Sequence, residues 1–423
     1  WEPPQASEEA PVSDLDRAID VLVEMEEAGV AVDVRYLAGL ATEFAGEVAR
    51  IQREAHDAVG HEFAIGSPKQ LEELLFTELK LPRGRRNKTG YSTDAAVLEE
   101  LREAHPVVEK ILEYREVEKL RSTYAEGLGA LIDPETGRVH TTFEQAVAST
   151  GRLSSRAPNL QNIPIRTPLG RRIRRAFVAG APHRVLLAAD YSQIELRVLA
   201  HVSQDPALVE AFVAGADIHT RTAAAGFGIA EAEVTREQRS VAKMLNFGIV
   251  YGMSDFGLAW RMGMSRDEAS RFIDEYFKRY PQVRRYVIET KAFCLEQGYV
   301  ETLLGRRRYI ADMTSTNSAV RGAAERMAIN MPIQGTAADI MKLGMVRVRE
   351  RLAASGLDAV LLLQVHDELV LEVPSAQVQP LARLVCDELS GAYALDVPLV
   401  VDVRTGVNWD EMTPLPLEAG PHA

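Results

Sequence analysis

Two acidic positions in this chain stand where apolar runs give way to a turn. Val185-Leu186-Leu187-Ala188-Ala189 ends on Asp190, and Tyr191-Ser192-Gln193-Ile194-Glu195-Leu196-Arg197 follows. Further on, Ala359-Val360-Leu361-Leu362-Leu363-Gln364-Val365 and Leu369-Val370-Leu371-Glu372-Val373 flank His366-Asp367-Glu368. The first pattern reads as a buried strand that delivers a carboxylate to the start of a helix. The second reads as a hairpin whose polar joint carries an acidic pair. A single Asp at a helix start is commonly a cap. A carboxylate pair wedged between two buried strands is poorly explained as solvated surface. If Asp190 and Asp367 converge from neighbouring strands, they form an oxygen-donor site suited to Mg²⁺. That ion binds through one or two carboxylates and keeps its other positions for water and substrate phosphates. Two such ions about 4 Å apart clamp the attacking and leaving oxygens of a phosphoryl transfer.

A third set is Arg239, Lys243, Phe247 and Tyr251, followed by Gly252. Positions four apart drift slowly round a helix, so all four share one face. The face grades from charged to aromatic and fits a triphosphate at one end and a base with its sugar at the other. An amphipathic helix with basic residues near its start is the plainer reading. However, Val241, Met244, Leu245 and Ile249 already supply an apolar side, so the graded face is a second surface.

The elements that must hold these residues are mixed. From Asp14 to about Ala130 the pattern is mostly helical, with an amphipathic stretch that stops at Gly29 and long helical patterns over 36–59 and 107–131. The basic loop Arg83-Gly84-Arg85-Arg86-Asn87-Lys88 lies between them, either a solvated turn or a phosphate-touching tip. Residues 132–189 read as strand and loop, and 195–300 as helix-rich, with a capping signal at Ser265-Arg266-Asp267-Glu268. From Arg152 to Arg184 there are eight arginines (152, 156, 166, 171, 172, 174, 175 and 184) with no Asp or Glu before Asp190. That local inversion marks a basic surface.

Composition narrows the class. The 423 residues are 46% hydrophobic and 26% charged, as in an ordinary globular protein of two or three domains. The formal net charge of −13 excludes a tail-type nucleic-acid binder but not an enzyme with one basic face. Two cysteines, Cys294 and Cys386, give neither a disulfide framework nor a thiolate metal site, so a reducing compartment is expected. No apolar run is long enough to span a membrane. The opening Trp1-Glu2-Pro3-Pro4-Gln5 lacks the features of a signal peptide and reads as a linker remnant.

Asp190 to Arg197 resembles motif A of the family A DNA polymerases. Arg239 to Gly252 is similar to that family's motif B, and Val365-His366-Asp367-Glu368 to its motif C. Thr150-Gly151-Arg152-Leu153-Ser154-Ser155 with Pro158-Asn159-Leu160-Gln161-Asn162-Ile163-Pro164 resembles a fourth signature. Arg326, Asn330 and Gln334-Gly335-Thr336-Ala337 resemble a fifth. The resemblance runs from about residue 20 to about 410, with all five motifs in the family's order. It implies an α+β, helix-rich right-hand fold with an antiparallel palm sheet, a helical thumb and helical fingers. The implied divisions are a linker and first palm helix over 1–29, thumb 30–130, palm 131–205, fingers 206–319 and palm again 320–423.

The implied activity is template-directed addition of dNMP from dNTPs to a primer 3′-OH, with release of pyrophosphate. It would serve replication and repair gap filling. Asp190 and Asp367 would hold two Mg²⁺ ions, or Mn²⁺ in their place, assisted by the Tyr191 carbonyl, with Glu368 beside them. Arg239, Lys243 and His219 would meet the triphosphate, with Gln193 nearby. Phe247 would stack on the sugar, Tyr251 would close the pocket, and Glu195 would crowd C2′ and reject ribonucleotides. Arg152, Asn330, Gln334 and His366 would touch the primer–template minor groove. There the N3 and O2 acceptors recur in every correct pair, so fixed donors check geometry without reading sequence. Arg166, Arg326, the arginine stretch and the 83–88 loop would supply contacts to DNA, chiefly its phosphates. The expected partners are primer–template DNA and dNTPs for a cytoplasmic monomer that carries no 3′–5′ or 5′ nuclease in this chain. The alternative is a single-subunit RNA polymerase-like enzyme, against which Glu195 and Gln334-Gly335-Thr336 argue.

Overall fold

The computed structural model describes residues 17–417 apart from 85, 88, 89 and 166. The N-terminal linker, Arg85 and Lys88 of the basic loop, and Arg166 therefore lie outside the described residues. Helix α1, Ala18–Ala28, buries Ala18, Val21, Leu22 and Met25 along one face. It ends at Gly29 with φ +58°, and a Cβ there would stand 2.7 Å from the His140 ring, so glycine is required twice over. Val30–Val32 then pairs with Arg138–Val139 and with Phe177–Val178 in a small antiparallel sheet.

Helices α2, Val34–Val59, and α3, Pro106–Lys119, stand together. The outer part of this lobe closes over a core of its own that includes Ile65, Leu71, Leu75, Leu98, Val108 and Ile111. The helical pattern expected over 107–131 is not one regular helix. After α3 the chain widens into π-helical turns over Leu120–Glu126 before Gly127–Gly129. Those turns hold Tyr124 in the core with its hydroxyl donated to the Asn162 carbonyl at 2.6 Å.

The central sheet contains β1, Arg184–Tyr191; β2, Val360–Val365; β3, Glu368–Pro374; β4, Val401–Gly406; and β5, Met412–Pro414. Its order is β2-β3-β1-β4-β5, antiparallel throughout. The hairpin expected around His366-Asp367 is β2–β3. Apolar runs place Leu187, Ala188, Ala189, Leu369, Val370 and Leu371 in the main core. Helix α4, Ile194–Ser203, leaves the end of β1. Helices α5, Ile218–Phe227; α6, Arg236–Val250; α7, Arg266–Arg279; and α8, Pro281–Gln297, form a second helical group. The expected cap at Ser265 is a capping box with Glu268. The chain returns through α9, Ser318–Ser355, 38 residues long with Pro332 inside it, and α10, Val378–Ser390. No described helix is long and apolar enough to cross a membrane.

Candidate active site

Strand register brings the acidic residues together. Asp190 on β1 pairs with Glu368 on β3 and, on its other side, with Asp402 on β4. Residues paired across a sheet share a face, so three carboxylates stand in a row. Asp367 joins them from the hairpin joint, where its carbonyl accepts the Tyr191 backbone N–H at 3.0 Å. Burial, with the charges of Glu368, Asp367 and Asp402, pushes the Asp190 carboxyl up to about 7. Burial also raises that of Asp367, against the pull of Arg152. Two hard oxygen donors thus share a partly desolvated site with too little positive charge beside them. That donor set fits Mg²⁺. Among the described residues no group of three or more His, Cys, Asp or Glu is arranged to hold a metal alone.

The neighbours of this pair are more specialised than their spacing showed. Tyr191 points to the other face of the sheet and donates its hydroxyl to the Leu389 carbonyl at 2.7 Å. That leaves the backbone of Tyr191 to face the site. Both oxygens of Glu368 are engaged, by Arg404 at 2.7 Å and by the Trp409 indole N–H at 2.9 Å. Its carboxylate anchors the strand end instead of standing open beside Asp190. Gln193 takes a left-handed conformation, φ +54°, at the sharp turn into α4. The fourth motif braces β2, because the Gln161 amide donates to the Gln364 carbonyl at 3.0 Å.

Glu195, on the first turn of α4, is 3% exposed. Arg152 reaches its Oε1 at 2.6 Å, and Tyr251 donates to its Oε2 at 2.9 Å. Gln334 bonds to it as well. Burial nonetheless raises its carboxyl above the usual range. Arg152 also lies 3.5 Å from Asp367. Arg326, Asn330 and Gln334 follow one another at four-residue spacing on α9. A Cβ on Gly252, φ +65°, would stand 2.7 Å from the Arg326 side chain, so this turn and α9 meet closely. His366, with φ +56°, is exposed at the hairpin joint and shares a small cleft with Arg152, Gln364, Asp367 and Lys342.

Helix α6 begins with a reciprocal cap between Thr235 and Gln238. It buries Val241, Leu245 and Ile249 and leaves Lys243 exposed, so the two surfaces expected of it are both present. Phe247 packs beside the His219 ring, with centroids 5.9 Å apart. Arg239 is bound through two nitrogens to Asp217, at 2.6 and 3.2 Å. Burial opposes ionisation of Asp217, but Arg239 and Thr220 bring it down to about 2. Sequence reasoning missed this partner, although an acid two residues before His219 at a helix start was a usable signal. His219 itself is 1% exposed.

In the arginine stretch, expected to contact phosphates, most side chains pair with acids of this chain. Arg156 pairs with Glu144, Arg172 with Glu43, Arg175 with Glu411, and Arg184 with Asp358 and Glu372. Arg174 stacks 4.0 Å over the Trp409 ring. Acids distant in sequence neutralise most of the local excess, while Arg171 remains exposed.

The family model for DNA polymerase family A matches residues 34–411. This chain belongs to that family. It is 53% identical over 391 residues to the thermostable DNA polymerase I of Thermus aquaticus, covering 92% of this chain and 47% of that protein. It is 51% identical over 389 residues to DNA polymerase I of Geobacillus stearothermophilus, covering 92% and 44%. The chain thus spans about half the length of the curated relatives it matches. The POL domain of Pol1 from M. smegmatis, solved in complex with DNA primer-template and dNTP, superposes with a TM-score of 0.89 at 45% identity, covering 93% of this chain and 70% of that one. The family A fold of this chain is therefore the right hand: palm sheet, helical thumb and helical fingers.

Proposed function

We propose that this chain catalyses template-directed DNA synthesis, adding dNMP from dNTPs to a primer 3′-OH. The observation that carries this reading is the juxtaposition of Asp190 and Asp367 by the β1–β3 register and the hairpin joint. The relative from M. smegmatis, which binds primer-template and dNTP, supports the same substrates.

Asp190 and Asp367 would hold two Mg²⁺ ions, aided by the Tyr191 carbonyl. Bound there, the ions supply Lewis-acid stabilisation of the phosphoryl oxygens and of the attacking and leaving oxygens. The primer 3′-OH releases its proton to solvent as its oxygen bonds to the α-phosphorus, and the bond from that phosphorus to the pyrophosphate leaving group breaks. Lys243, exposed at the basic end of α6, offers a cation to the leaving phosphates, where negative charge grows. Arg239 would reach them by exchanging Asp217 for phosphate oxygens. Phe247 presents a ring to the sugar. Glu195, buried and held by Arg152 and Tyr251, fills the space beside C2′. Arg152, Asn330, Gln334 and His366 offer donors to minor-groove acceptors.

Primer extension with dNTPs or rNTPs, with and without Mg²⁺, tests the reading. Mg²⁺-dependent elongation with dNTPs is expected. Elongation with rNTPs in preference to dNTPs would support the RNA polymerase alternative, and no elongation with either would overturn the proposal.

A further inference from the structure

Behind the graded face of α6 a buried polar chain runs from His219 through residues that the catalytic reading leaves unused. His219, Asn246, Thr222 and Tyr280 are each 3% exposed or less. The Thr222 hydroxyl donates to Asn246 Oδ1 at 3.1 Å, and Asn246 Nδ2 stands 2.9 Å from His219 Nδ1. The Tyr280 hydroxyl lies 3.5 Å from that of Thr222. We propose that Asn246 is a positioning residue that fixes His219 in the tautomer with its proton on Nε2, so that the ring presents one neutral donor toward the triphosphate. This inference rests on the proposed function, in which the basic end of α6 receives that group.

The assignment follows from what each group can do. A carboxamide has one accepting oxygen and a donating NH₂. With the oxygen committed to Thr222, the NH₂ faces Nδ1, where a second N–H would be repelled. A neutral imidazole carries one proton, so it moves to Nε2, and the partner of one ring nitrogen thereby sets the role of the other. Burial, with the cations Arg239 and Lys243, brings the ring down to about 4 and keeps it neutral. The charges acting on it are those two from α6 and Asp217 from its own cap. Beside Thr222, α7 and the turn after it present Tyr276, Arg279 and Tyr280. On α5 itself, Arg221, two residues beyond His219, lies 3.6 Å from Glu231. A buried imidazolium beside two cations would be costly, whereas a neutral N–H supplies a hydrogen bond without that penalty.

The direct test is nitrogen–proton correlation NMR of the full chain labelled in histidine, with His219 assigned by the signals lost in His219→Gln. The expected result is a bare Nδ1 and a protonated Nε2 that stay constant between about pH 6 and about pH 8. A protonated Nδ1 overturns the proposal. Thr222→Val removes the donor that orients the carboxamide and should give a mixture of tautomers; an unchanged pure tautomer counts against the chain as drawn. Asn246→Asp cannot donate, so Nδ1 must take the proton. At about pH 8 the dNTP KM should rise about tenfold with kcat and primer–template Kd little changed, and it should recover as the pH falls and the ring gains a second proton. The parent KM should lack this dependence. A rise in KM that is equal at every pH would mark Asn246 as merely structural and overturn the proposal. Should Asn246→Asp fail to fold, the parent tautomer decides alone. Because the spectra require no turnover, failure of primer extension would strike the polymerase reading and leave the tautomer assignment standing.

Discussion

Tyr251 donates its phenol hydrogen to Glu195 Oε2 at 2.9 Å, and this bond latches the end of α6 to the first turn of α4. Arg152 holds the other oxygen of the same carboxylate at 2.6 Å. A buried carboxylate held from two sides is a rigid wall, and under the proposed function it faces C2′ of the incoming sugar.

Glu195→Ala should therefore raise the use of rNTPs relative to dNTPs by opening the space that a 2′-hydroxyl needs. Overall activity should fall too, because Arg152 and Tyr251 lose their shared acceptor. The ratio of kcat/KM for a matched rNTP and dNTP measures this. An unchanged ratio would place the sugar gate elsewhere.

Asp190→Ala or Asp367→Ala should reduce the chemical step by several orders of magnitude and leave primer–template affinity near that of the parent, since phosphate contacts dominate DNA binding. Single-turnover rates and equilibrium binding at matched salt separate the two effects. A single-turnover rate within about tenfold of the parent would remove that residue from the metal site.

Phe247 lies one turn beyond Lys243 on α6, and a phenyl ring cannot donate a hydrogen bond. The 3′-OH of the incoming nucleotide must then satisfy nearby acceptors itself, and a dideoxynucleotide leaves one unpaired at a cost of about 1–3 kcal/mol. The parent should discriminate against ddNTPs by about tenfold to a hundredfold or more. Phe247→Tyr should largely abolish this by supplying the missing hydroxyl. Equal dNTP to ddNTP ratios in the two proteins would show that the ring does not face the sugar.

The Asp190 carboxyl is raised from 3.8 to about 7, first by burial and then by Glu368, Asp367 and Asp402. The folded chain thus binds this proton more tightly than the unfolded chain. The resulting stability is present below the unfolded value and is lost as pH rises through about 7. At about pH 8 without divalent ions, Asp190→Asn should be the more stable protein, by on the order of 2–4 kcal/mol. The advantage should shrink toward about pH 4. Urea midpoints across that range check the sign, and a difference independent of pH would mean that this carboxylate is not desolvated.

The amino-acid order alone marked where the candidate site residues lie. Apolar runs ending on Asp190 and flanking Asp367 specify buried strands with acidic ends, because side-chain periodicity and burial are local properties. The four-residue spacing from Arg239 to Tyr251 likewise specifies one helical face. Tertiary structure decided what those side chains meet. The β1 register set Glu368 and Asp402 on either side of Asp190, and Arg404 with Trp409 then turned Glu368 into an anchor. Folding also supplied Asp217 to Arg239 and Asn246 to His219, and it neutralised most of the arginine stretch with acids such as Glu43, Glu372 and Glu411. Pairings of this kind join residues far apart in the chain. Charge and hydrogen-bonding capacity are written in the sequence, but which partner satisfies them depends on distances that only the packed fold fixes.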